Sequence, residues 1–322
     1  MLDSMNSQSE TLTLGRWYSP PRKARTGPVV AATDGTAAGD AAVRAASLLA
    51  SRLSAKVDVV LVVEPLPLLM PAPSKILEPL VASPEFIDDM RDETVERVSK
   101  IAPPGVDWKV DVSYGQPASE IVGYAGKEGA QMIVIGHVHH GMIDKILDGE
   151  TALQVVRQSS VPILLAASSM KALPKRAVLA VDFSPESMEA AREALRLLDD
   201  KAVVMLAHVA PPAATFDGSG LCVDEYEALM LRELGEFADS LAVPEGLLVE
   251  KVILHGRPAH ALLKLAERAG ADLVAVGTRG AGLIQRLFVG TNTSRIVHHS
   301  PCSVLIAPRR EQEETDSGSA LH

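Results

Sequence analysis

The sequence predicts an α/β fold made of two tandem copies of a five-stranded, doubly wound parallel sheet. One observation is an internal repeat at an offset of 141 residues: Ile133-Val134-Ile135-Gly136 returns as Val274-Ala275-Val276-Gly277, and Gly115-Gln116-Pro117-Ala118 as Gly256-Arg257-Pro258-Ala259. Gly149 likewise returns as Gly290, and Ile163-Leu164-Leu165-Ala166 as Val304-Leu305-Ile306-Ala307. A second is the alternation, within each copy, of short apolar runs with helix-length segments, the pattern of a parallel sheet covered on both faces. A third is the run 273–276, apolar throughout and bounded by glycine, as suits a strand buried on both faces.

In the first copy the predicted order is strand 29–33 ending at Asp34-Gly35, alanine-rich helix 37–53, strand 57–63, helix 84–101, strand 108–113, helix 119–128, strand 132–136, helix 151–158 and strand 162–166. The second copy repeats it with strand 177–181, helix 185–198, strand 203–209, helix 223–241, strand 247–254, helix 259–269, strand 273–276, a helix from 291 through Val297, and strand 303–307. The short polar segment 168–175, with Pro174, separates them. The expected domains are therefore 28–168 and 175–308, flanked by a disordered tail at 1–27 and a mobile one at 309–322, both polar and low in periodicity.

With 322 residues and 47% apolar content the chain can bury ample core, and at 3% aromatics that core must be aliphatic. A formal charge of −10 argues against a nucleic-acid surface, which rewards dense Lys and Arg. Cys222 and Cys302 make neither a disulfide framework nor a metal clip. No signal-peptide core is present, and the longest apolar stretch, 57–73, is broken by Asp58, Glu64 and four prolines. The expectation is a cytoplasmic protein with no membrane contact.

After the run 273–276 come Gly277, Gly280 and Gly282, then Gly290 and the polar residues Thr291, Asn292 and Thr293, which read as the start of a helix. An anion held there would meet unpaired backbone N–H groups, the positive end of a helix dipole and two hydroxyls, with no Cβ to keep phosphate away. The stretch lacks the Gly-Lys-Ser/Thr ending of a P-loop and the glycine spacing of the dinucleotide fingerprint.

This pattern, G-x2-G-x9-G-[S/T] after a fourth strand, resembles the ATP-binding signature of the universal stress protein family, and 299–306 is similar to that family's last loop and strand. The resemblance spans nearly everything from Val29 to Pro308 and implies a Rossmann-like fold that binds ATP, with Mg2+ accompanying it. Carried over residue by residue, it places Val181, Asp182 and Val209 on the adenine and ribose side, Asp182 accepting a hydrogen bond from the nucleoside and Val209 offering backbone groups. It places Val276, Gly277, Arg279, Gly280, Gly290, Thr291, Asn292 and Thr293 around the phosphates, Arg279 as a charged donor. The bland reading of Asp182 is a helix cap in Asp-Phe-Ser-Pro, where Ser184 is the better cap. The resemblance also implies that the copies pair through their last strands as a pseudo-dimer, with further homodimerisation left open.

The first copy keeps Asp34, Gly136 and Gly149 but has His139 where the second glycine of the signature should stand and Glu150 in place of the hydroxyl residue. An imidazole there narrows the backbone approach and a carboxylate repels phosphate, so weak or no ATP binding is expected in that copy. The cluster His137, His139 and His140, with Asp144 or Glu150, is an alternative metal carrier. No catalytic residue is assigned. The functions left open are a stress-response sensor or regulator with an unknown protein partner, a slow ATP hydrolase or phosphotransferase, and a scaffold without a nucleotide.

Overall fold

The computed structural model describes residues 25–64, 83–137, 148–211, 222–278 and 290–308. In the first half these form β1 (Val29–Thr33), α1 (Ala37–Leu53), β2 (Val57–Val63), α2 (Pro84–Ile101), β3 (Trp108–Tyr114), α3 (Pro117–Lys127), β4 (Met132–His137), α4 (Asp148–Gln158) and β5 (Ile163–Ala167). The second half contributes β6 (Arg176–Ala180), α5 (Pro185–Leu197), β7 (Val203–Ala210), α6 (Val223–Ser240), β8 (Leu248–His255), α7 (Pro258–Ala269), β9 (Leu273–Gly277), α8 (Thr291–His299) and β10 (Ser303–Ala307).

The helix starts follow local chemistry. Thr36 caps α1 by accepting from the Ala38 and Gly39 amides, and Ser83 and Ser184 cap α2 and α5, each followed by proline at the first helical position. Three starts differ from the sequence reading, that of α7 by one residue, at Pro258. Helix α3 begins at Pro117 rather than 119, with Gln116 as a cap that makes no side-chain hydrogen bond, so proline's fixed φ sets the start instead of the serine at 119. Helix α4 begins at Asp148, three residues before the hydroxyl that marked its expected start.

All ten strands join one sheet in the order β3-β2-β1-β4-β5-β10-β9-β6-β7-β8. Neighbours are parallel except at the centre, where β10 runs antiparallel to β5 with Leu305 opposite Leu164. This joint is the pairing of last strands that the resemblance implied. Strand residues alternate between faces: Val29 and Ala31 enter a core with α1, α2, α5 and α6, whereas Val30 and Ala32 enter one with α3, α4, α7 and α8. Each core draws residues from both copies. At the joint the Ala167 amide donates to Ser303 Oγ (3.1 Å), and Arg196 reaches across to Gln131 Oε1 (2.8 Å). No helix among the described residues is long and apolar enough to cross a membrane.

Candidate functional site

In each half the chain builds outward from its first strand and then crosses to the other side of it, so β6 lies between β7 and β9 and β1 lies between β2 and β4. At such a reversal the connections leave in opposite directions and a crevice opens beyond the carboxyl ends of the strands. The crevice of the second copy lies at the ends of β6, β7 and β9, over the start of α8, and is lined in part by Val181, Asp182, His208, Val209, Val276, Gly277, Asn292 and Thr293.

The structure thus gathers Val181, Asp182, Val209, Val276, Gly277, Asn292 and Thr293 around one crevice. Gly290 is the N-cap of α8 and Thr291 its first residue. Arg279 and Gly280 lie outside the described residues, as do Gly282, His139, His140 and Asp144. Strand β6 ends at Ala180, one residue earlier than expected.

Asp182 occupies a tight turn between β6 and α5. Its Oδ1 accepts from the Ser184 amide (3.0 Å) and from Ser184 Oγ (2.5 Å), which orients the carboxylate at the crevice wall, while Ser184 itself caps the helix. Between them Phe183 adopts φ 60°, a left-handed conformation costly for a residue with a Cβ. Its ring lies 5.0 Å from that of His208 and edge-on to Phe237 at 6.3 Å.

At the other wall, the Gly290 amide donates to Thr278 O (3.1 Å), which ties the start of α8 to the end of β9. Helix α8 starts without a side-chain cap, and Asn292 and Thr293 of its first turn line the crevice, at the end of the helix where the dipole is positive. Two motif residues prove to have packing duties. A Cβ on Gly277 would sit 2.8 Å from Glu186 Cβ in the first turn of α5. Thr293, expected to offer its hydroxyl outward, is buried and donates to Gly277 O (3.1 Å), fastening α8 to β9.

Sequence reasoning missed Phe183, His208 and Tyr226. His208 is buried in the wall, its Nδ1 2.8 Å from Val181 O and its Nε2 3.0 Å from Tyr226 Oη. Burial lowers its pKa below the ordinary histidine value, against the opposing pull of the Val181 carbonyl and the Asp182 charge. The available signal was one polar residue inside an otherwise apolar strand, Val203 to Ala210.

The corresponding corner of the first copy has the same turn, with Asp34 Oδ1 accepting from the Thr36 amide (2.9 Å) and Thr36 Oγ1 (2.6 Å). Gly35, at φ 74°, stands where the second copy has Phe183. The helix sits closer to the strand: a Cβ on Gly136 would meet Ala38 O at 2.0 Å, where the matching contact in the second copy is 2.8 Å to Glu186. Glu150 is exposed within α4. Among the described residues no group of three His, Cys, Asp or Glu side chains is placed to hold a metal ion.

Comparison with known proteins gives a consistent result. The description of the universal stress protein family matches the chain twice, over residues 26–166 and 174–308. A universal stress protein of Mycolicibacterium smegmatis is 24% identical over 298 residues, covering 88% of this chain and 97% of the relative. One from Methanocaldococcus jannaschii is 27% identical over 150 residues, 44% of this chain and 86% of its own length. Among solved structures, that of a universal stress protein from Archaeoglobus fulgidus superposes with a TM-score of 0.62 at 20% identity, covering 88% of this chain and 98% of the other, a likeness of fold.

Proposed function

The chain belongs to the universal stress protein family, as a member with two copies in tandem, and from that premise we propose that its second copy binds ATP, with Mg2+, in the crevice beyond β6 and β9. The observation that carries this reading is Gly290. Its φ of −56° suits any residue, and among the described residues a Cβ there would make only ordinary contacts, 3.5 Å from Thr278 O and 3.7 Å from Thr293 Oγ1. The described part of the fold does not demand glycine at this point. An anion approaching the uncapped amides of α8 does, because a side chain would stand in its path.

The rest of the wall fits the nucleoside. Asp182 is held with its carboxylate at the crevice, and Val181, Val209 and Val276 supply apolar surface for a base. Arg279 and Gly280 would complete the phosphate side. The protein then acts as a cytoplasmic sensor or regulator in a stress response, its nucleotide state read by a protein partner. Designed turnover is not part of this reading: Asp182 is the one carboxylate residue in the described lining, and its Oδ1 is already engaged by Ser184.

The test is calorimetry and thermal denaturation of the full chain with magnesium and ATP. One nucleotide should bind per chain, and ATP at a hundred times its Kd should stabilise the binding copy by about 2.7 kcal/mol. Gly290→Ala should weaken binding by about tenfold or more while leaving the ligand-free melting temperature nearly unchanged. Absence of any stabilisation by millimolar ATP would refute the reading. A burst of product within seconds in single-turnover assays would replace the regulator with an enzyme.

A further inference from the structure

The two copies end their first ladders differently. In the first, β1 and β2 pair as far as Thr33 opposite Leu61. In the second, β6 and β7 pair only as far as Ala180 opposite Ala207, although the Val181 amide still donates to Ala207 O at 2.9 Å. The next bond of a regular parallel ladder would run from the Val209 amide to Val181 O. That bond is not made among the described residues, and Val181 O accepts instead from His208 Nδ1, at 2.8 Å.

Alternation along a parallel strand turns the Val209 N–H to the same side as the Ala207 carbonyl, toward β6. Because the ladder has stopped, what lies on that side is the crevice, of which Val209 is a lining residue. The residue in the first copy that matches His208 by ladder position is Leu61, which has no donor to offer a carbonyl. There the ladder closes.

We propose that His208 is a positioning residue: by taking the Val181 carbonyl it withholds that acceptor from the Val209 amide and leaves the amide facing the crevice, as a donor for a ring nitrogen of a bound heteroaromatic base. The identity of the base rests on the ATP reading, whereas the opening of the ladder does not. The surroundings fix the necessary tautomer. A carbonyl only accepts, so Nδ1 carries the proton, and Nε2 accepts from the Tyr226 hydroxyl at 3.0 Å. Phe183 closes over the imidazole, its ring 5.0 Å away, and turns the chain off the ladder at φ 60°. Tyr226 on α6, Phe183 in the turn and Val181 on the strand end thus hold the imidazole on three sides.

The test begins with amide hydrogen exchange of the ligand-free full chain. The Val209 amide should exchange at least about tenfold faster than the Val62 amide, its first-copy counterpart inside the closed ladder. His208→Leu, which copies the first half, should slow exchange at Val209 by about tenfold or more as the ladder closes, and should weaken ATP binding about tenfold, the worth of one hydrogen bond. A merely structural role predicts the opposite sign, since a loosened wall exchanges faster. His208→Asn, whose Nδ2 can stand where Nδ1 does, should restore both fast exchange and affinity. Equal protection at Val209 and Val62 in the unaltered protein would overturn the proposal even if the leucine variant failed to fold. If Val209 proves open while ATP does not bind, the ATP reading falls and the positioning role of His208 stands.

Discussion

Replacing Phe183 separates two opposing effects at the turn that presents Asp182. The residue sits at φ 60°, where a side chain costs about 1–2 kcal/mol relative to glycine, and its half-buried ring packs on His208 and Phe237. Partial burial of a phenyl ring stabilises by about 1–1.5 kcal/mol, half the full value, and its aromatic contacts add about 0.5–1 kcal/mol. Phe183→Ala loses the ring and keeps the strained backbone, for a loss of about 2 kcal/mol. Phe183→Gly loses the ring and is relieved of the strain, but its unfolded chain is freer by about 0.4–1 kcal/mol. The difference leaves glycine more stable than alanine by about 0.5–1 kcal/mol, so the order is Phe, Gly, Ala. Urea denaturation with a common slope measures it. Alanine equal to or above glycine would refute the strain, and glycine equal to phenylalanine would show that the ring contributes nothing. Gly35→Ala is the control: at φ 74° with no atom of the described residues within 4 Å of the new Cβ, it should show the conformational cost alone.

Gly136→Ala should destabilise the protein by about 1–3 kcal/mol or more, because the new Cβ would meet Ala38 O at 2.0 Å and a helix backbone cannot step aside as a side chain can; ATP affinity, measured by calorimetry, should be unchanged. Thr293→Val should cost about 1 kcal/mol in denaturation midpoint through loss of the hydroxyl bond to Gly277 O, and Thr293→Ser should restore most of it. His208 gives a pH dependence of known sign. Its folded pKa is lowered, so below the unfolded value of about 6.5 the unfolded chain binds more protons. The stability tied to the neutral imidazole is present above that pH and is lost as pH falls through the folded pKa. Asp182 and the Tyr226 hydroxyl face the ring, and Asp182 opposes the shift. The drop in urea midpoint between pH 7.5 and pH 5 should be larger for the unaltered protein than for His208→Asn, and equal drops would contradict the assignment.

Strand and helix positions were legible because each is a long periodic or apolar run: the expected bounds of 29–33, 37–53, 57–63, 84–101 and 303–307 coincide with β1, α1, β2, α2 and β10. The repeat also made the duplicated fold readable, since the same signals occur twice. What could not be read was the use of individual polar groups. Val181 looks like the last residue of a strand, yet β6 stops at Ala180 and the Val181 carbonyl meets the imidazole of His208, a residue distant in sequence. Thr293 and Asn292 are equally good anion donors by type, yet one hydroxyl is committed to Gly277 O. A lone histidine in an apolar strand carries no motif. Its role depends on Tyr226, a residue on α6 whose placement follows from tertiary packing and not from spacing.

Duplication within one chain also separates two demands that a single copy must meet together. Strands β5 and β10 are buried at every position, and each would be an apolar edge without the other. Joining the copies in one chain keeps that cover at high effective concentration. The joint runs along β5 and β10, whereas the crevices lie beyond the ends of strands farther out in each half. Changes at a crevice therefore need not disturb the joint. The first copy has Leu61 where the second has His208, Gly35 for Phe183 and Glu150 for Thr291, and still supplies β5 to the sheet. Its ladder has closed by one residue and its first helix has settled on Gly136. The opposite corner keeps a left-handed backbone at Phe183, a ladder that stops at Ala180 and a helix that starts at Gly290 without a side-chain cap, and the shared joint is the same for both.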